Sequence, residues 1–137
     1  MSTKTNMLLG IDVGERRIGL ALADDAIRIA VPYDTIEVDG NEVATMFEII
    51  EREHISTLIV GYPRNQSGEP TKQTAYVERF MAQFSDSDAE LVYQDESLTS
   101  VLAEERLQSY GKPYKKGDID STAASIILQD YLERHSA

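Results

Sequence analysis

The stretch Leu8-Leu9-Gly10-Ile11-Asp12-Val13-Gly14-Glu15-Arg16-Arg17-Ile18-Gly19-Leu20-Ala21-Leu22-Ala23-Asp24 decides the fold of this 137-residue chain. Its first half is an apolar run broken by one carboxylate, Asp12. A turn region at Gly14-Glu15 with two arginines follows. Ile18, Leu20 and Leu22 then alternate with Gly19, Ala21 and Ala23. The pattern reads as a buried strand, a tight turn and a second strand paired back on the first. An acid inside a buried strand is costly unless it is paired, protonated or bound to a cation. Asp12 is therefore the first candidate functional residue.

Downstream, Asp24-Asp25 reads as a turn, and residues 27–38 have strand composition with Pro32 marking an edge or an interruption. Asp39-Gly40 turns the chain, and Asn41 suits the N-cap of a helix over 42–53 with Val43, Met46, Phe47, Ile49 and Ile50 on one face. The apolar run Thr57-Leu58-Ile59-Val60 predicts a central parallel strand, with a loop over 61–68 at its carboxyl end. Pro70 opens the next helix, which carries Tyr76, Val77, Phe80, Met81 and Phe84. A strand over 89–94, a helix from Thr99 to Gly111, a basic loop over 111–117 and a last helix over 118–134 complete the chain. An antiparallel meander followed by helix-connected parallel strands makes an α/β fold, a mixed sheet covered by helices. The length predicts one domain over 1–137.

With no cysteine, thiolate metal sites, thiol nucleophiles and disulfides are excluded. No apolar run approaches a membrane span and the first residues lack a signal-peptide core, so the expectation is a soluble, cytoplasmic protein without a membrane partner. The net charge of −11 argues against a broad nucleic-acid-binding face. What counts is where the thirteen basic residues sit.

Three acids occupy positions that packing alone explains poorly. Asp12 lies in the first strand. Glu96 follows a strand at its carboxyl end, where open sheets collect ligands. Asp120 precedes Ala123, Ala124, Ile127 and Tyr131 at helical spacing, so the last helix aims it at the sheet. Asp118 reads as an N-cap, and Asp95 points away from Glu96 if the strand continues. Three carboxylates converging from separate elements form a hard, oxygen-rich site for Mg²⁺ or Mn²⁺. Two such ions about 4 Å apart serve phosphodiester hydrolysis. Arg16, Arg17, Arg64, Lys112, Lys115 and Lys116 lie near the same edge. Of these, Arg17, Arg64, Lys115 and Lys116 are the candidate nucleic-acid contacts, and Arg16 and Lys112 fit ordinary surface charge equally well. Tyr62 and Tyr114 fit packing at loop bases better than base stacking. Neither His54 nor His135 is assigned chemistry, and Ser97, Thr99 and Ser100 lack a base.

The residues Gly10-Ile11-Asp12-Val13-Gly14-Glu15-Arg16-Arg17-Ile18-Gly19-Leu20-Ala21, Leu58-Ile59-Val60-Gly61-Tyr62-Pro63, Asp95-Glu96-Ser97-Leu98-Thr99-Ser100 and Ile119-Asp120 with Ala123-Ala124 and Ile127-Leu128-Gln129 resemble the YqgF/RuvX family of the ribonuclease H-like superfamily. The likeness covers essentially the whole chain, although Ser97 stands where the family usually has Arg. It implies a five-stranded mixed sheet with the meander first, and a metal-dependent nuclease site at Asp12, Glu96 and Asp120. Members of that family are described as candidate Holliday junction resolvases and as nucleases that help to mature the 5′ end of the 16S rRNA precursor. The expected activity is thus hydrolysis of phosphodiester bonds in structured rRNA precursor, or in branched DNA. A resolvase needs two symmetrically presented sites, so a homodimer would favour DNA and a monomer RNA. Actin-like ATPases and sugar kinases share the strand-Asp-x-Gly turn but need two lobes. A non-catalytic assembly factor would retain its function after Asp12→Asn.

Overall fold

The computed structural model describes residues 6–63, 69, 71–96 and 99–135. Among them the elements run β1 (Met7–Val13), β2 (Arg17–Asp24), β3 (Val31–Glu37), α1 (Glu42–Arg52), β4 (Ile55–Pro63), α2 (Lys72–Met81), β5 (Glu90–Glu96), α3 (Thr99–Ser109) and α4 (Lys116–Arg134). The strands form one sheet in the order β3-β2-β1-β4-β5. β1 pairs antiparallel with β2, and β2 with β3, whereas β1–β4 and β4–β5 are parallel. The meander-first mixed sheet expected from the sequence is the one found.

Strand alternation divides the core in two. Leu9, Ile11 and Val13 of β1, with Leu20, Leu58 and Val60, meet Met46 and Ile49 of α1 and Val77, Phe80 and Met81 of α2. On the opposite face Leu8, Ala21, Ala23 and Ile59 meet Ala124, Ile127, Leu128 and Leu132 of α4. Helix α3 packs on α4 through Ala103 against Ala123 and Ile126. The α4 face of β2 is built from small residues, so the helix can lie close to the sheet. Among the described residues no helix is long and apolar enough to cross a membrane.

Local chemistry moves several boundaries from their expected places. β4 starts at Ile55 and runs through Pro63, so Tyr62 lies in the strand. β5 continues to Glu96, which is its last residue. Pro32 sits in the edge strand β3 opposite Ala21, beside a register irregularity between Leu20 and Ala21, where the missing N–H is tolerated. Asn41 flanks α1 without a side-chain cap; instead the Glu42 carboxylate accepts from the Gly40 N–H at 3.2 Å. Helix α4 begins at Lys116, two residues before the predicted start. Asp118 is not its N-cap but its third residue, and its Oδ2 accepts from the Lys115 N–H at 2.8 Å, satisfying a donor at the helix entrance. Pro70 falls outside the described residues.

Arg28, in a left-handed conformation at φ 62°, ties the far end of α4 to the meander. Its guanidinium donates to Leu132 O at 2.9 Å and to His135 O, and pairs with Asp25 at 2.6 Å. Removing a charged donor to carbonyls costs about 1.5–3 kcal/mol per bond when well buried. Arg28 is partly exposed, so Arg28→Ala is expected to lower the unfolding free energy by about 1–2 kcal/mol, read as a lower urea midpoint at unchanged slope.

Candidate active site

The site begins with a close approach of backbones. Asp12 pairs across β1–β2 with Gly19. A Cβ on Gly19 would lie 1.9 Å from the carbonyl oxygen of Asp120, and one on Gly10 would lie 2.8 Å from that of Ala124. With no side chain at these positions, α4 rests directly on the hairpin. Its first turns then hold Asp120 beside Asp12, which shares the α4 face of β1 with Leu8 and Gly10.

The electrostatics follow from that placement. Burial, and to a smaller extent the charge of Asp120, pushes the Asp12 carboxyl up from 3.8 to about 7. Asp120 has a cation of its own. Arg17 Nε donates to Asp120 Oδ2 at 2.6 Å, with side-chain exposures of 29% and 20%. That bond, more than the pair's Coulomb attraction, holds Arg17 protonated; Glu37, its cross-strand neighbour on β3, adds a smaller contribution.

Glu96 has a different set of partners. Its Oε2 accepts from Thr99 Oγ1 at 2.8 Å, whereas among the described residues no standing donor faces its buried Oε1. The carboxyl is pushed up to about 7, chiefly by burial and then by the adjoining Asp130 carboxyl, with which it can bond only if one of the two keeps a proton. The Thr99 hydroxyl and Arg134 act in the opposite direction. Asp130 lies about 15 Å along α4 from Asp120 at the helical rise of 1.5 Å per residue. The structure thus brings Asp12 and Asp120 together and sets Glu96 against Asp130. Among the described residues, no three His, Cys, Asp or Glu side chains are grouped to hold a metal ion.

The basic residues divide similarly. Arg17, Lys115 and Lys116 line two grooves on either side of the start of α4. One, of about 630 Å³, runs along β3 past Tyr33, Thr35 and Glu37. The other, of about 560 Å³, is walled by Val101, Tyr114 and Asp120. Arg16 and Lys112 are exposed. Arg64 and Ser97 lie outside the described residues. Tyr62 packs its ring 4.9 Å from that of Tyr93 and donates to Glu78 at 2.8 Å, and Tyr114 donates to Glu104 at 2.9 Å, so both tyrosines have packing partners.

Sequence reasoning missed three participants. Gly19 was visible in the small-residue face of the second strand, had that face been read as a docking surface for a helix. Thr99 stands three residues after Glu96, a spacing at which a hydroxyl can reach a carboxylate. Asp130 gave no signal, because a polar residue on a long helix is ordinary until the neighbouring strand is placed.

Comparison with known proteins agrees with this architecture. Residues 6–134 match the family described as RuvX: Holliday junction resolvase. A relative from Chloroflexus aurantiacus, named "Putative pre-16S rRNA nuclease", is 42% identical over 132 residues, covering 93% of this chain and 86% of the relative. One of the same name from Chlorobaculum tepidum is 34% identical over 141 residues, covering 98% and 99%. In fold, the chain is similar to Thermus thermophilus RuvC, solved in complex with a Holliday junction substrate, with a TM-score of 0.58 at 16% identity over 93% of this chain and 95% of that one. The RuvC likeness is one of fold. The family match and the near full-length relatives mean that this chain belongs to the RuvX Holliday junction resolvase family.

Proposed function

We propose that this protein is a cytoplasmic, divalent-metal-dependent phosphodiesterase whose substrate is structured RNA, foremost the 5′ region of the 16S rRNA precursor. The observation that carries this reading is the juxtaposition of Asp12 and Asp120, with Asp12 pushed up to about 7 by burial and by the charge of Asp120. The donor chemistry fits a hard cation: the carboxylate oxygens of Asp12 and Asp120. These two residues would hold Mg²⁺ or Mn²⁺, and Glu96, set against Asp130, would have to leave that contact to join them. When bound, such ions lower the pKa of water and stabilise the charge of the leaving oxygen.

The chain's own residues do the rest. Asp12 would be ionised on holding the cation, against the effect of burial. Lys115 and Lys116, exposed at the start of α4, attract the phosphates flanking the scissile one, while Gly19 keeps the two acids at one place on the sheet. The basic groups form a local rim on an acidic protein, so RNA affinity should fall only shallowly with salt, the slope being set by a small number of phosphate contacts.

The test is cleavage of a 5′-extended 16S rRNA fragment beside a four-way DNA junction, in Mg²⁺ or Mn²⁺, by wild type, Asp12→Asn and Asp120→Asn. RNA cutting reduced about 10²-fold or more in both variants is the expected result, the size seen when one electrostatic contribution to a transition state is lost. Junction cutting alone would reassign the substrate to branched DNA, as the family description has it. Cutting of neither by folded protein would overturn the nuclease reading.

A further inference from the structure

Arg17 occupies an unusual position for a residue that should meet substrate. It opens β2 two residues before Gly19, and its Nε is bonded at 2.6 Å to Oδ2 of Asp120, a carboxylate assigned above to the cation. A divalent ion on the Asp12–Asp120 pair and a guanidinium on the same carboxylate repel one another and draw on the same oxygen lone pairs. The guanidinium has somewhere else to go. It is 29% exposed, it lines the grooves on both sides of the start of α4, and each groove also carries Lys115 and Lys116. A guanidinium also suits either partner, since its planar fork matches carboxylate and phosphate alike.

We propose that Arg17 and the divalent cation exclude one another at Asp120, so that metal binding releases Arg17 into the Lys115–Lys116 groove, where it takes a substrate phosphate. Without metal, Arg17 is the positive charge paired with Asp120 beside Asp12. With metal, it becomes a substrate-binding residue. Glu37, across β2–β3, offers the freed guanidinium a second carboxylate, which keeps it on the β3 side of the helix until a phosphate arrives. Metal and nucleic acid are then coupled through one side chain. By linkage each strengthens binding of the other by the same factor. The inference rests on the reading of Asp12 and Asp120 as cation ligands.

Two binding measurements test it, neither of them turnover. In the first, Mn²⁺ is titrated into the protein without nucleic acid and free Mn²⁺ is followed by electron paramagnetic resonance. Arg17→Gln, having lost the competitor, is expected to bind Mn²⁺ about five-fold tighter or more than wild type, with Arg17→Lys between them. In the second, a fluorescein-labelled RNA hairpin is titrated in EDTA and in Ca²⁺. Wild type gains affinity in Ca²⁺ by about five-fold or more, whereas Arg17→Gln gains little. The second arm matters because loss of any nearby positive charge would tighten Mn²⁺ binding, whereas a Ca²⁺-dependent gain in RNA affinity that is larger in wild type than in Arg17→Gln requires Arg17 to be released. Equal or weaker Mn²⁺ binding by Arg17→Gln would make Arg17 a support that orients Asp120, and the proposal fails. It fails equally if Ca²⁺ strengthens RNA binding as much in Arg17→Gln as in wild type. Should the Gln variant not fold, Arg17→Lys carries both arms with the same directions. Unchanged Mn²⁺ affinity in Asp12→Asn and Asp120→Asn would instead overturn the ligand assignment beneath it, a separate and distinguishable failure.

Discussion

Asp12→Asn is expected to stabilise the metal-free protein at about pH 8 while it removes cleavage. Unfolded, the Asp12 carboxyl titrates near 3.8; folded, it titrates near 7. Between those values the native state holds a proton that the unfolded chain has released. Stability therefore falls as pH rises across that window. The favourable contribution is complete below the unfolded value and gone once pH passes the folded one. At about pH 8 the native protein must keep a buried carboxylate beside Asp120, and asparagine, of similar shape and no charge, relieves it.

One pKa unit corresponds to about 1.4 kcal/mol, so a shift of this size has a ceiling of about 4 kcal/mol. Asp12 is half-buried by surface area and Arg17 offsets part of the local negative charge, so a gain of about 1–3 kcal/mol is expected. The measurement is thermal unfolding in EDTA at about pH 5 and pH 8. The variant's advantage should be about two- to three-fold larger at the higher pH, and an equal difference at both would sink the argument. Mn²⁺ should raise the melting temperature of wild type and not of Asp12→Asn, because a ligand stabilises only the state that binds it. An active-site residue whose removal stabilises the fold marks a carboxylate held for function against local electrostatics.

Gly19→Ala should be the most damaging single-methyl change in the chain. The added Cβ would stand 1.9 Å from the carbonyl oxygen and 2.3 Å from the carbonyl carbon of Asp120. Both are backbone atoms of a helix, so no rotamer change can relieve the clash and α4 must lift from β2. Overpacking usually costs about 1–3 kcal/mol, occasionally more, and here about 3 kcal/mol or more is expected because a 19-residue helix has to move. Lifting α4 also separates Asp120 from Asp12, so whatever protein folds should lose cleavage and Mn²⁺ binding together. Gly117→Ala is the control. Its Cβ meets only Thr35 side-chain atoms at 3.5 Å and beyond, ordinary contact, and alanine in the first helical turn should be neutral or slightly stabilising. Denaturant unfolding of the two variants side by side decides the matter: equal stability would mean that α4 does not depend on a bare strand at Gly19.

The sequence by itself determined the hairpin, the order of elements and the mixed sheet. Those features rest on local regularities, apolar alternation in β1 and β2 and helical spacing in α1, α2 and α4, which act over a few residues and survive in a one-dimensional reading. It also singled out Asp12 and Asp120, because a carboxylate on an apolar face is a local anomaly wherever its partner lies. Tertiary structure decided the rest. That Glu96 faces Asp130 and that Arg17 rests on Asp120 depend on how α4 crosses the sheet. That crossing is set by the bare backbone at Gly10 and Gly19, which lie more than a hundred residues before Ala124 and Asp120, the helix residues they meet. Side-chain partners of this kind are chosen by long-range packing, and neither periodicity nor spacing along the chain encodes them.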